Sequence, residues 1–329
     1  MAEGTRPIPD WMMGERRRMR EQGMQFLAKL SSKKIISNFT NDPRDISTGL
    51  TSAVYDVDTE EGRRIVKLRE CGALAEAAAY VEWGVYDVPT PQVLRVGASG
   101  EDIDWSYIVM EPILDHDGNL APLGTEIGDE YRDTLDLFLG KNLAKMHKAT
   151  GKHFGQLLDQ DSDQAEFRSW NEYIHYKLGE LERQLRVKLL LSLEDIKNLN
   201  LLSELDYVPL SVYAHGDLGI YNILVKHTNP FDGVIFDPNP LLADPYYDVA
   251  HVLNGKEAWL KKEIDMDMDP FLQAYKDESE VEYFNLRRLA AMRAFAAINR
   301  AISTTERHEF ERASFYKNII IQQSHLALA

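Results

Sequence analysis

The spacing of apolar residues changes character along the chain. Near the N-terminus, Met19, Phe26, Leu27 and Leu30 recur at helical intervals and predict one amphipathic helix within residues 1–34. From Ile35 the pattern becomes extended. Residues 35–39, 53–57 and 64–68 read as strands, and Thr59-Glu60-Glu61-Gly62 makes the hairpin turn between the last two. An alanine-rich stretch at 72–84 predicts a helix. The rigid Val88-Pro89-Thr90-Pro91 turn follows, then strands at 92–96 and 105–110, and Glu111-Pro112-Ile113 ends the run. The sum is a five-stranded antiparallel sheet with one helix.

After an irregular Asp/Gly/Pro-rich segment at 114–128, helical periodicity dominates. Helices are expected at 129–150, 167–191 and 193–205, the last capped by Ser192, and again at 251–261, 270–276, 282–304 and 310–326. Trp170, Tyr173, Ile174, Leu178 and Leu181 form a stripe on one face and read as core. The fold class is therefore α+β with two lobes, a sheet lobe and then a mostly helical lobe. The expected domains are an N-terminal helical extension (1–34), a sheet lobe (35–113) and a helical lobe (114–329).

The helical half is interrupted once, at residues 211–250, SVYAHGDLGIYNILVKHTNPFDGVIFDPNPLLADPYYDVA. A strand leads into a loop carrying His215-Gly216-Asp217, and Asn222 lies five residues past that aspartate. A short apolar strand follows, then a polar turn at 229–233, then a second strand at 234–236 that ends on Asp237. Three oxygen-bearing side chains thus sit at the mouths of paired strands. Phosphoryl transfer needs this set: a carboxylate, Asp217, to take the proton of the attacking hydroxyl, and an amide with a second carboxylate, Asn222 and Asp237, to hold Mg2+.

HGDLGIYN resembles the HGDxxxxN catalytic loop of the aminoglycoside phosphotransferase and choline-kinase-like small-molecule kinases. FDPNPLLADPYYDVA resembles the same family's metal strand, with Asp248-Val249-Ala250 matching its downstream Asp-x-Ala. The resemblance implies a protein-kinase-like fold that binds ATP and Mg2+. It implies nucleotide phosphates and a helix glutamate as partners for Lys67, with Glu76 chosen over Glu82, and adenine as the partner of the Glu111 carbonyl and the Ile113 N–H. Met110 would back the adenine pocket. The 48–52 turn would lie over the phosphates and offer the hydroxyls of Thr51 and Ser52 together with backbone N–H groups. His215 reads as a brace of the catalytic loop, Asp248 as the holder of its backbone, and His147 as a packed or capping histidine. Asp244 stays open between a supporting acid and an Asp-Pro turn residue.

The chain has 329 residues and a net charge of −16, which argues against nonspecific nucleic-acid binding and against an anionic membrane surface. A single cysteine, Cys71, excludes an intrachain disulfide and a CxxC metal site and fits a reducing compartment, the cytoplasm. No apolar run reaches the roughly 18 residues of a membrane span, and no secretory signal is recognisable. Arg16-Arg17-Arg18 reads as a solvated helix face. The acids of 263–269 read as a solvated loop, with reception of a cationic substrate as the alternative. The expected activity is transfer of the ATP γ-phosphate to a hydroxyl of a small molecule, with GTP left open as donor. Acceptor candidates are a cationic aminoglycoside, another antibiotic, a choline-like alcohol or a sugar. Two alternatives stand beside it: the same fold acting on a protein or other macromolecule, and a nucleotide-binding regulatory module without turnover. Oligomeric state is not legible.

Overall fold

The computed structural model describes residues 22–47, 52–99, 105–157, 166–187, 190–207, 209–279, 284–306 and 309–329. They divide into two compact units, one drawn from 22–78 and 91–113, the other from 79–90, 114–157 and 166–329. The Arg16–Arg18 run, Met19 and Thr51 lie outside the described residues.

The first unit opens with helix α1 (22–32), whose Phe26, Leu27 and Leu30 are buried in one apolar cluster with Tyr55, Val57, Val66, Leu68, Tyr107 and Val109. Lys34 ends the helical segment in the left-handed region (φ 59), and the Ile35 N–H donates to Leu30 O at 2.9 Å. That closure corrects one expectation. Residues 35–39 form no strand, because Ile35 caps the helix and Ile36 is buried in the apolar cluster; Phe39 alone makes a single bridge, to Thr59. The first strand is instead β1 (Arg44–Asp45), followed by β2 (Ser52–Thr59), β3 (Gly62–Arg69), helix α2 (Ala73–Gly84, whose residues from Ala79 on belong to the second unit), β4 (Val93–Gly97) and β5 (Ser106–Met110). The strands pair antiparallel in the order β1-β2-β3-β5-β4, so the five-stranded sheet stands with a different first member. Strand β3 is central. Its Val66 and Leu68 face the α1 cluster, and by the two-residue period Lys67 faces the opposite side.

The second unit holds α3 (Arg132–Met146), β6 (Thr150–Gly151), β7 (Gly155–Gln156), α4 (Trp170–Val187), α5 (Leu193–Leu201) and β8 (Ser211–Ala214). The hairpin β9 (Ile223–Thr228) and β10 (Phe231–Ile235) follows, then β11 (Leu241–Ala243) and helices α6 (Tyr246–Leu260), α7 (Pro270–Ser279), α8 (Leu286–Glu306) and α9 (Phe310–Leu328). Ser192 caps α5 in a reciprocal capping box with Asp195. The aromatic stripe of α4 is buried, as core. Strand β8 is the expected lead into His215, but its pairing into a small sheet in the order β6-β8-β11-β7 was not expected from the sequence, since the other three strands, of two or three residues, show no period. Helix α6 starts earlier than the expected 251, because Asp244 Oδ1 accepts the Tyr246 N–H at 2.8 Å and caps it there. Asp248 consequently sits in its first turn. Within the acidic 263–269 run, Asp269 is buried against Lys256 and accepts the Leu272 N–H at 3.2 Å, so that residue heads α7 rather than lying in solvent. No helix among the described residues is long and apolar enough to cross a membrane.

Candidate active site

In the second unit, β8 delivers the chain to His215-Gly216-Asp217. The N–H groups of His215 and Gly216 donate to the two oxygens of Asp248, at 2.6 and 2.8 Å. Burial alone would raise the Asp248 carboxyl, but the imidazoles of His147, His215 and His251 together outweigh it and leave the group below its ordinary value. It is therefore an anion at neutral pH, suited to accepting both bonds. Gly216 turns the loop at φ 75, and a Cβ there would stand 2.1 Å from Asn239 O, so only glycine passes. His215 is fully buried. Its Nδ1 accepts the Asp217 N–H at 3.3 Å, and its Nε2–H donates to Phe236 O at 3.0 Å. Its ring stacks on Trp83, with centroids 5.9 Å apart and planes 2° from parallel. Both nitrogens thus hold the loop. His147 is also packed, Nδ1 to the Tyr275 hydroxyl at 2.8 Å. Asp244 is buried against Arg288 at 2.6 Å.

Asn222 closes a single turn, Ile220–Asn222, and is buried. Its Nδ2 donates to Asp217 O at 2.8 Å, which leaves Oδ1 as the side chain's acceptor, and the Phe236 N–H donates to Asn222 O at 3.1 Å. Ile223 pairs with Ile235 across the β9–β10 hairpin. Asn222 and Asp237 therefore flank the same hairpin end, and Asp217 is tied to it through Asn222. Asp237 takes a left-handed conformation (φ 55), with its N–H held by the Tyr80 hydroxyl at 3.0 Å. One amide oxygen and one carboxylate suit a hard cation such as Mg2+, which completes its shell with phosphate and water oxygens. A softer transition metal is a poor match: among the described residues no three His, Cys, Asp or Glu cluster as ligands.

Two residues at this site were missed in the sequence. Arg300, on α8, donates through Nη2 to Asp217 Oδ1 and to the Tyr221 hydroxyl, and its guanidinium lies 5.2 Å from the centre of the Tyr221 ring. The Tyr221 hydroxyl donates to the same Asp217 oxygen at 3.1 Å. Burial pushes the Tyr221 hydroxyl well above its ordinary range, so it remains a donor. The Asp217 side chain is still 38% exposed. The only trace of Arg300 in the sequence is its spacing: Arg293 and Arg300 stand seven residues apart on one face of an alanine-rich helix, where each needs an acid.

The first unit brings Lys67 and Glu76 together. The Lys67 side chain is 5% exposed; its ammonium donates to both Glu76 oxygens at 2.8 and 2.6 Å, and Arg69 donates to one of them at 2.8 Å. Arg69 was not anticipated as a partner. Glu82 is exposed on the same helix. Ser52 opens β2 and is buried, as is Met110 at the end of β5. Glu111 gives its N–H to Gln92 O at 3.0 Å, whereas its carbonyl and the Ile113 N–H take no part in the loop hydrogen bonds of the described residues.

A sequence model of the phosphotransferase enzyme family matches residues 42–292. No curated protein matches the chain. Among solved structures, a thermostable variant of the aminoglycoside phosphotransferase APH(4)-Ia, in a ternary complex with AMP-PNP and hygromycin B, is similar at a TM-score of 0.61 and 14% identity, over 90% of this chain and 98% of that one. A candidate aminoglycoside phosphotransferase of Ralstonia eutropha JMP134 matches at 0.62 and 12% identity, over 92% and 97% of the two chains. A candidate fructosamine-3-kinase of Thermobifida fusca YX-ER1 matches at 0.58 and 17% identity, over 88% and 93%. At these identities the likeness establishes the fold, α+β and protein-kinase-like.

Proposed function

The chain belongs to the phosphotransferase enzyme family, and on that premise we propose that it transfers the γ-phosphate of ATP to a hydroxyl of a small molecule. The observation that carries this reading is the convergence of Asp217, Asn222 and Asp237 at one end of one hairpin. Asp217 orients the acceptor hydroxyl and takes its proton. Asn222 and Asp237 hold Mg2+, which neutralises charge on the phosphates when bound. Lys67, fixed by Glu76, contacts the phosphates, and Ser52 lies over them. The Glu111 carbonyl and the Ile113 N–H face the base, with Pro112 between them and Met110 behind. Residues 35–113 thus serve the nucleotide and 114–329 the chemistry and the acceptor, with 1–34 as an extension. The donor base, adenine or guanine, is decided by competition binding.

For the acceptor, two neighbouring structures carry the names of an aminoglycoside phosphotransferase and a fructosamine-3-kinase. An amine-bearing polyol is the first class to screen, and a net charge of −16 favours a cation. An aminoglycoside acceptor would make antibiotic resistance the cellular readout. A cytoplasmic location suits the free Cys71.

The test is an acceptor panel of amino sugars, amino alcohols and sugars, read as ADP release with radiolabel tracking. Wild type releases ADP with one class, and Asp217→Asn lowers turnover roughly 10²–10⁴-fold while still binding nucleotide. Label arriving on protein instead would point to a macromolecular acceptor. Nucleotide binding with no turnover on any acceptor would point to a regulatory module.

A further inference from the structure

We propose that Arg300 and Tyr221 clamp one oxygen of Asp217 so that the other is aimed at the acceptor hydroxyl, which makes both of them positioning residues of the transfer step. The inference rests on the reading of Asp217 as the acceptor-side base. The bonds from Asp248 and His215 fix the backbone of the catalytic loop but not the two side-chain torsions of Asp217, which is part-exposed. The clamp fixes those torsions. Its two donors come from different elements, Tyr221 from the turn that ends on Asn222 and Arg300 from α8, and both meet Oδ1.

Arg300 engages the carboxylate through Nη2 alone. A two-pronged guanidinium fork would cover both carboxylate oxygens; this contact leaves Oδ2 without a donor among the described residues. Arg300 is itself held, over the Tyr221 ring at 5.2 Å. One turn-pair earlier on α8, Arg293 donates to Asn254 Oδ1 at 3.0 Å and pairs with Glu257, both on α6. Helix α6 also carries Asp248, so clamp and loop are anchored to one frame. In the step itself, a lone pair of the acceptor oxygen forms the new O–P bond as the bond from the γ-phosphorus to the bridging oxygen breaks and its electrons leave with ADP. The hydroxyl proton passes to Oδ2 of Asp217 and from there to solvent. Tyr221 keeps its own proton throughout.

The test compares wild type with Arg300→Ala, Arg300→Lys and Tyr221→Phe. It reads magnesium-dependent ATP hydrolysis with water as acceptor, transfer to the best acceptor of the panel, ATP affinity by calorimetry and thermal melting. The clamp predicts that Arg300→Ala lowers kcat roughly 10- to 100-fold, with ATP affinity unchanged, and that Arg300→Lys or added guanidinium ion restores part of the loss. Tyr221→Phe, which removes one oxygen and serves if Arg300→Ala fails to fold, lowers kcat severalfold. Turnover equal to or above wild type in these variants overturns the clamp and leaves the proposed function standing. Absence of ATP binding and turnover in wild type overturns the proposed function, and the clamp with it.

Discussion

Glu76 carries more of the first unit than its place on an alanine-rich helix suggests. Its buried carboxylate receives two cations, Lys67 and Arg69. Removing it breaks both of these ion pairs of a buried carboxylate, and broken buried pairs cost about 3–5 kcal/mol. Glu76→Ala should therefore lower unfolding free energy by about that amount in denaturant titration, whereas the exposed Glu82→Ala should change it by less than roughly 0.5 kcal/mol. At this scale, what the sequence disclosed follows chain distance. Asp217 and Asn222 share one loop, and Lys67 and Glu76 are nine residues apart. Arg300 is 83 residues from Asp217, and no local pattern joins them.

Helix α6 shows how one element ties the site together, and where local patterns mislead. The sequence placed its start after Asp248, but capping by Asp244 moves the start forward and puts Asp248 under the 215–217 loop and His251 one turn on. The same reasoning explains 35–39, which is apolar and β-prone in isolation yet is used to close α1 and fill its cluster. Burial, with Arg300 adding to it, lowers the His251 imidazole to about 4, so this residue is neutral in the fold. Between about 6.5 and 4 the unfolded chain binds a proton that the folded chain does not, so His251 opposes folding increasingly as pH falls through that window, by up to roughly 3 kcal/mol. The lowered Asp248 acts only further down, its contribution being lost below its ordinary carboxylate range. Melting temperature should thus drop from pH 7 to pH 4.5, and His251→Gln should flatten that drop. An unchanged slope in the variant would contradict the assignment.

For the molecule as a whole, the switch from two-residue to helical periodicity was enough to name the class, and the solved structures at 12–17% identity share that class over most of their length. Burial pattern sets the class, so it survives such divergence, whereas the acceptor is chosen by a few side chains that no period marks. In the function proposed above, nucleotide and metal binding are assigned to this shared fold. The most direct measurement of the central claim is calorimetric titration of ATP into wild type and Asp237→Ala, each with and without magnesium. The account predicts that magnesium tightens ATP binding to wild type and that the variant loses that gain. ATP binding that is absent, or indifferent to magnesium in both proteins, would contradict it.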